Sequence, residues 1–376
     1  MELSIPFDAV AEAPVYRSRF GGLWTDRSDA HEILEARRKA GRYGDVEAER
    51  LSHYIDHGYV IMPGATPLDL IDDYLEFFER AWDELPAHVM AITGGLTRPL
   101  SRDFYDQVAK VSCLHLYYPR AGELIFPPDV LEFLQDIYER PPVAFQTMSM
   151  RKGSEEPLHV DTGPLTLTEP MTLCASWVAL EDVQPDSGEF EYVPGTHLVD
   201  ERLHWGVAKG HDGDMVEYHA TLTHIHDEMR RRGLEAKKFM AKKGDVLIWH
   251  GDLMHGGAPI ADPSRTRKSL VAHFMPLGVM PNFIDFSDLT TYAYPNGGHC
   301  IDNILSRKRR AARNQTPPTP EAPPEPASRN GESTYVRRLK DHIPLPMRAF
   351  VRQQVNWLAR NPELVKHARS NGAGKA

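Results

Sequence analysis

The sequence predicts a mainly β fold with flanking helices. The expected core is a jelly roll, two antiparallel sheets closing as a double-stranded β-helix. Three observations predict it. From Val143 to Met275, short runs rich in Val, Leu, Phe, Tyr and Trp alternate with Gly, Pro and Asp turns. No strand–helix–strand alternation occurs there, which argues against a doubly wound parallel sheet. Helical periodicity lies before this region and again far beyond it.

Taken in order, residues 1–24 read as an irregular lead-in with Gly21-Gly22. A helix is expected from about Ser28, with Asp26 and Ser28 as candidate caps, a break near Gly41 or Gly44, and a second part through Leu51 and Ile55. Gly58 ends it, and Tyr59-Val60-Ile61-Met62 reads as a strand stopped by Pro63-Gly64. Thr66-Pro67 opens another helix, with Leu68, Ile71, Tyr74, Leu75, Phe78 and Trp82 on one face as core packing. A third follows Pro127-Pro128-Asp129, with Val130, Phe133, Leu134 and Ile137 inward. Between them Val108–Val111 is strand-like.

The clearest strands of the core, itself expected over about 143–280, are 144–150, 171–180, 189–193, 245–249 and 270–274. A His-rich insertion over about 200–238 interrupts them, carrying His204, His211, His219, His224 and His226. Partly helical through His226–Arg231, it is expected to form a lid over the site and to help choose the substrate. His224-x-His226 also raises a second metal site as the less favoured reading of that stretch. The domain containing all of this is expected to span 1–305. A basic and Pro-rich linker follows over 306–333, then a basic amphipathic helical tail over 334–376.

Composition narrows the function classes. The chain has 376 residues and a net charge of −10, although Lys and Arg outnumber acids beyond Thr334. The body is therefore acidic, which argues against nucleic-acid binding. No apolar run is long enough to cross a membrane, and Met1–Tyr16 lacks the features of a secretory signal. Cys113, Cys174 and Cys300 are widely spaced and read as free thiols. A cytoplasmic location is the expectation. The 334–370 tail is a candidate for the inner membrane face, for self-association, or for docking on the acidic body.

The chemistry concentrates in His159-Val160-Asp161 and His255. Residues i and i+2 of an extended segment share a face, so His159 and Asp161 can project together while Val160 packs the other way. Two imidazoles and one carboxylate on one side of a metal leave the opposite side open, the arrangement favoured for non-haem Fe(II) oxygen chemistry. The open side can take 2-oxoglutarate and dioxygen. The far carboxylate of 2-oxoglutarate needs a planar cation, and Arg267 supplies one, with Ser269 two residues on. His250-Gly251-Asp252 is an internal competitor that sits beside His255 and so cannot offer ligands from two separate strands.

These motifs, with Trp177-Val178-Ala179-Leu180-Glu181, Pro194-Gly195-Thr196-His197, Lys243-Gly244-Asp245, His255-Gly256 and Arg267-Lys268-Ser269, resemble the phytanoyl-CoA dioxygenase family of Fe(II)/2-oxoglutarate oxygenases over roughly residues 50–280. The resemblance implies a cupin-like core, iron ligation by His159, Asp161 and His255, and 2-oxoglutarate binding by Arg267. It further implies that Lys110, Met148 and Trp177 line the cosubstrate pocket. Two positions depart from the family pattern: Val160 stands where glutamine is frequent, and Gly257 where some relatives carry a hydroxyl. Related halogenases replace the carboxylate ligand, so Asp161 points to hydroxylation. The expected activity is hydroxylation of a small or lipid-like molecule with release of succinate and carbon dioxide, and ascorbate as a helpful reductant. The alternatives are a differently metallated hydrolase or isomerase, or a non-catalytic jelly roll working through its basic tail.

Overall fold

Every residue of the strand Cys174–Ala179 is buried, yet the six divide by parity. Cys174 and Val178 face a large cluster built with the helices, whereas Ala175, Trp177 and Ala179 face a smaller one inside the barrel. Strand pleating causes this division, because successive side chains leave opposite faces. Neighbouring strands obey it too. Val246 and Ile248 join the helical cluster, and Leu247 and Trp249 the inner one. The helices thus cover the outer face, and the inner face is left to build a site.

The computed structural model describes residues 15–18, 21–84, 89–199, 215–281 and 290–302. The chain divides into two units, 1–281 with 290–302 and 282–289 with 303–376. The second, which includes the basic run, the Pro-rich linker and the tail, lies outside the described residues, as do Phe283 and Phe286.

The first unit opens with α1 (Ala30–Lys39) and α2 (Asp45–His57), separated at Gly41, whose φ of +75° suits glycine. Gly58, also left-handed, ends α2 and turns the chain into β1 (Tyr59–Met62). Next comes α3 (Leu68–Glu84), burying Leu70, Ile71, Tyr74, Phe78, Ala81 and Trp82. Leu68, expected inward, is 55% exposed, and Leu70, 1% exposed, takes the inward place in the first turn of α3. A hairpin absent from the sequence expectations follows, β2 (Met90–Thr93) and β3 (Leu96–Pro99), turning at Gly94-Gly95. Then come β4 (Lys110–Ser112), α4 (Ala121–Ile125), α5 (Pro128–Tyr138) and β5 (Pro142–Met150).

β6 (Cys174–Ala179) and β7 (Phe190–Tyr192) precede α6 (Met215–Arg232), which is longer than the expected helical stretch. β8 (Lys237–Phe239), β9 (Val246–His250), β10 (His255–Gly257) and β11 (Ser269–Pro276) complete the barrel strands. β12 (Thr290–Ala293) and β13 (His299–Asp302) form a last hairpin. Tyr292 and Tyr294 pack against the helical cluster, so this hairpin supports the outer layer.

The major sheet runs β1-β9-β6-β11-β5-β4-β2-β3, with β13 parallel to β5, and the minor sheet runs β10-β7-β8. The strands therefore extend beyond the 143–280 window on both sides. Among the described residues no helix is long and apolar enough to cross a membrane. Cys113, Cys174 and Cys300 form no disulfide.

Two histidines are locked into this scaffold in the neutral form. His115 Nδ1 meets Thr147 Oγ1 at 2.7 Å, and His197 Nε2 donates to the Ile55 carbonyl at 3.2 Å. Burial lowers the pKa of each to about 3. The unfolded chain therefore takes up protons that the folded chain refuses as pH falls from about 6.5 toward 3. Stability should be full above that window and fall by up to about 1.4 kcal/mol per pH unit for each residue within it. Urea unfolding of wild type and His115→Gln between pH 7.5 and 4 checks this. The variant should lose less stability on acidification, and parallel curves would rule the contribution out.

Candidate metal centre

The segment 157–161 does not enter a long ladder. It touches the minor sheet through one antiparallel bridge, in which His159 N–H donates to the His255 carbonyl at 2.9 Å and His255 N–H returns the bond at 3.0 Å. Asp161 N–H is anchored to the Gly251 carbonyl at 2.9 Å. Val160 points away from the two flanking side chains, into a cluster with Val193, Ile225, Met229 and Met254. The expected i, i+2 geometry thus arises from extended backbone, without a regular strand.

Glycine permits the close approach. A Cβ at Gly256 would lie 2.5 Å from the Glu156 carbonyl oxygen, and one at Gly257 would lie 2.4 Å from Ser154 Oγ. A side chain at position 257 would therefore displace the Ser154 hydroxyl and press on the Glu155 backbone.

One ligand atom from each of His159, Asp161 and His255 lies within 4.8 Å of the others. His159 Nδ1 donates to the Pro157 carbonyl and His255 Nδ1 to the Leu253 carbonyl, both at 2.9 Å. Since a carbonyl only accepts, each Nδ1 carries the proton and each Nε2 keeps its lone pair for the centre. His255 Nε2 is 3.6 Å from Asp161 Oδ2, and His159 Nε2 is 3.9 Å from Oδ1.

Burial works to raise the Asp161 pKa, but the imidazoles of His255, His273 and His159 outweigh it and hold the carboxyl well below the usual range. Burial lowers His255 to about 4 against the pull of Asp161. The cluster thus gathers two imidazole Nε2 atoms and a carboxylate, a donor set that fits a divalent first-row ion with an open side.

A second feature lies along the same inner face. Leu247, Trp177, Val271 and Met148 form one row across β9, β6, β11 and β5. The Arg267 guanidinium stands over it, 5.4 Å from the Trp177 ring centroid. Arg267 is 1% exposed, and its Nη2 donates weakly to Met150 Sδ at 3.8 Å. Its Nε and Nη1, together with Trp177 Nε1 and Ser269 Oγ, have no hydrogen-bond partner among the described residues. Burial lowers the Arg267 pKa to about 10, countered by Glu189 and Glu181. A buried cation beside other unpaired donors is costly unless an anion completes it. The residues present therefore fit a bound carboxylate.

Arg267, Ser269, Met148 and Trp177 lie together on this face. The Lys110 ammonium meets the Glu156 carboxylate. The competitor pair is absorbed into the scaffold: His250 Nδ1 accepts from Asp252 N–H at 3.0 Å, and Asp252 pairs with the Thr162 hydroxyl.

Three other residues escaped the sequence reading. Trp249 Nε1 donates to Asp161 Oδ2 at 2.9 Å, and His273 Nε2 is 3.6 Å from Oδ1. Tyr218 lies on the stripe of α6 that docks on Val160 and Met254 through Leu222, Ile225 and Met229. Its ring fills the space a Cβ at Gly163 would need, 2.4 Å from Cε2. Burial raises the Tyr218 phenol to about 12, with the Asp161 and Glu156 charges adding to it. The helical period could have singled out Tyr218; only strand register brings in Trp249 and His273. Among the described residues His224 and His226 form no second metal cluster, and His204 and His211 lie outside them.

The chain is similar to several known proteins. The sequence model of the phytanoyl-CoA dioxygenase family matches residues 54–269. The non-heme alpha ketoglutarate dependent carbocyclase SnoK from nogalamycin biosynthesis superposes with a TM-score of 0.51 at 18% identity, over 64% of this chain and 88% of its own, and so shows the fold. The epimerase SnoN, in complex with Fe3+, alpha ketoglutarate and nogalamycin RO, superposes at 0.48 and 18% identity, over 68% and 98%.

Replacing His159, Asp161 or His255 by Ala should weaken Mn(II) binding by more than about 100-fold, whereas Asp252→Asn should lower the unfolding temperature and leave the metal affinity near wild type. Anaerobic calorimetry with thermal melts separates the two classes. Loss of metal binding in Asp252→Asn at unchanged fold would reassign the ligands.

Proposed function

The chain belongs to the phytanoyl-CoA dioxygenase family, with Fe(II), 2-oxoglutarate and dioxygen as its cofactors, and from that premise we propose that it hydroxylates an unactivated C–H bond of a small or lipid-like molecule. In this reading His159, Asp161 and His255 hold the metal, and Arg267 holds the far carboxylate of 2-oxoglutarate. Bound Fe(II) with 2-oxoglutarate supplies the power to activate dioxygen, releasing succinate and carbon dioxide.

The protein contributes placement and exclusion of water. Arg267 receives the carboxylate in a fork that Ser269 Oγ and Trp177 Nε1 can extend, since all of these donors are otherwise unpaired. The inner-face row holding Trp177 and Met148 is one step, about 7 Å, from the row of Trp249 and His273 beside Asp161, the length scale of a five-carbon diacid. Trp177 and Met148 wall this space and keep water from it. On the open side, Tyr218 of α6 and the Glu156–Lys110 pair form the rim that meets the substrate. In this reading α6, which belongs to the described part of the insertion, takes the lid role.

The observation that carries the reading is the buried, incompletely bonded Arg267 near a two-histidine, one-carboxylate cluster. A metal-dependent hydrolase, or a protein without turnover, has no need of a buried cation awaiting a dicarboxylate. Asp161 fills the place that a halide would need, which favours hydroxylation over halogenation.

Succinate release from 2-oxoglutarate with Fe(II) and ascorbate tests it. Wild type should turn over above background without added substrate. His159→Ala and Asp161→Ala should abolish release, and Arg267→Ala should raise the 2-oxoglutarate requirement roughly 10- to 100-fold, the worth of a charge-assisted pair. No succinate from fully metallated wild type would overturn the proposal.

A further inference from the structure

β9, β6 and β11 align Trp249, Ala175 and His273 in one row across the inner face. Two large polar side chains thus stand two strand spacings apart, roughly 10 Å between backbones, with only a methyl group between them. The Asp161 carboxylate meets both. Trp249 Nε1 donates to Oδ2 at 2.9 Å, and His273 Nε2 approaches Oδ1 at 3.6 Å. Asp161, Trp249 and His273 are 4%, 1% and 3% exposed, so water does not compete for these contacts.

We propose that Trp249 and His273, neither of them a metal ligand, are positioning residues that make Asp161 a one-oxygen ligand. The inference rests on the metal assignment above. A carboxylate can offer a metal one oxygen or two. In a centre that must also take a chelating keto acid and dioxygen, a second carboxylate oxygen on the metal would occupy a needed position. The indole N–H engages one oxygen. It is a donor that neither titrates nor coordinates, so it reserves Oδ2 and leaves Oδ1 to the metal. His273 stands beside Oδ1 and limits rotation of the carboxylate about its own axis. The same indole packs 4.8 Å from the His255 ring, so one side chain orients two ligands.

The test measures Mn(II) affinity without oxygen on the full chain, beside the thermal midpoint of the metal-free protein. Trp249→Phe and His273→Leu should weaken Mn(II) about 10- to 100-fold while the metal-free midpoint moves little. His273→Gln, which keeps a donor, should recover most of the affinity. Wild-type affinity in both Trp249→Phe and His273→Leu would overturn the proposal, as would equal losses in His273→Leu and His273→Gln. Asp161→Ala separates the levels: if it too binds Mn(II) normally, the ligand assignment has failed, whereas its loss beside normal Trp249→Phe and His273→Leu sinks only the positioning role.

Discussion

A carboxylate buried inside a β-barrel is the constraint on which the rest of this structure depends. Asp161 could not remain ionised there without compensation, because desolvation penalises its charged form. The imidazoles of His255, His273 and His159 reverse that penalty, and the Trp249 indole N–H adds a hydrogen bond. The arrangement costs nothing in backbone polarity, since the segment carrying Asp161 is tied at His159 and Asp161 to the main chain of β10 and of Gly251. Separate bonds from Nδ1 of His159 and His255 to the Pro157 and Leu253 carbonyls orient both rings, so the protein presents an open-sided donor set before any ion arrives.

Arg267 is the complementary case. It is a buried cation whose nearest anions, Glu181 and Glu189, act on it at a distance and make no bond to it. Fold stability gives no reason to keep such a group, because a buried ion lacking its partner is destabilising. It becomes sensible when a ligand brings the missing carboxylate. The barrel thus stores one excess of each sign along its inner face, a spacing that an anion with metal-binding atoms at its other end can bridge. Parity makes this possible: helices engage the outer side chains of β6, β9 and β11 and leave the inner ones to the ligand.

Much of this was legible in the sequence. His159, Asp161, His255 and Arg267 were readable because the i, i+2 rule and the ordered motifs are local signals. The order of helices and principal strands was readable from period and punctuation, with Gly58 and Pro63-Gly64 marking their bounds. Trp249 and His273 were not, because each looks like an ordinary strand residue until register places both beside Ala175. Leu68 fitted the apolar stripe of its helix, but in the first turn it is Leu70 that is buried. Gly257 stands where some relatives carry a hydroxyl, and only the structure shows how closely the Ser154–Glu155 segment packs against it. Lys110 was sorted by resemblance, and its pairing with Glu156 depends on a loop that no local pattern describes.

The central claim is that one pocket joins the metal held by His159, Asp161 and His255 to a carboxylate site at Arg267. The most direct measurement is an anaerobic titration of the Fe(II)-loaded protein with 2-oxoglutarate, followed by the visible charge-transfer absorption that appears when a keto acid chelates ferrous iron. The account predicts an absorption that saturates at one equivalent in wild type and, in Arg267→Ala, needs far more 2-oxoglutarate to reach the same intensity. Absence of the band, or saturation indifferent to the loss of Arg267, would contradict it.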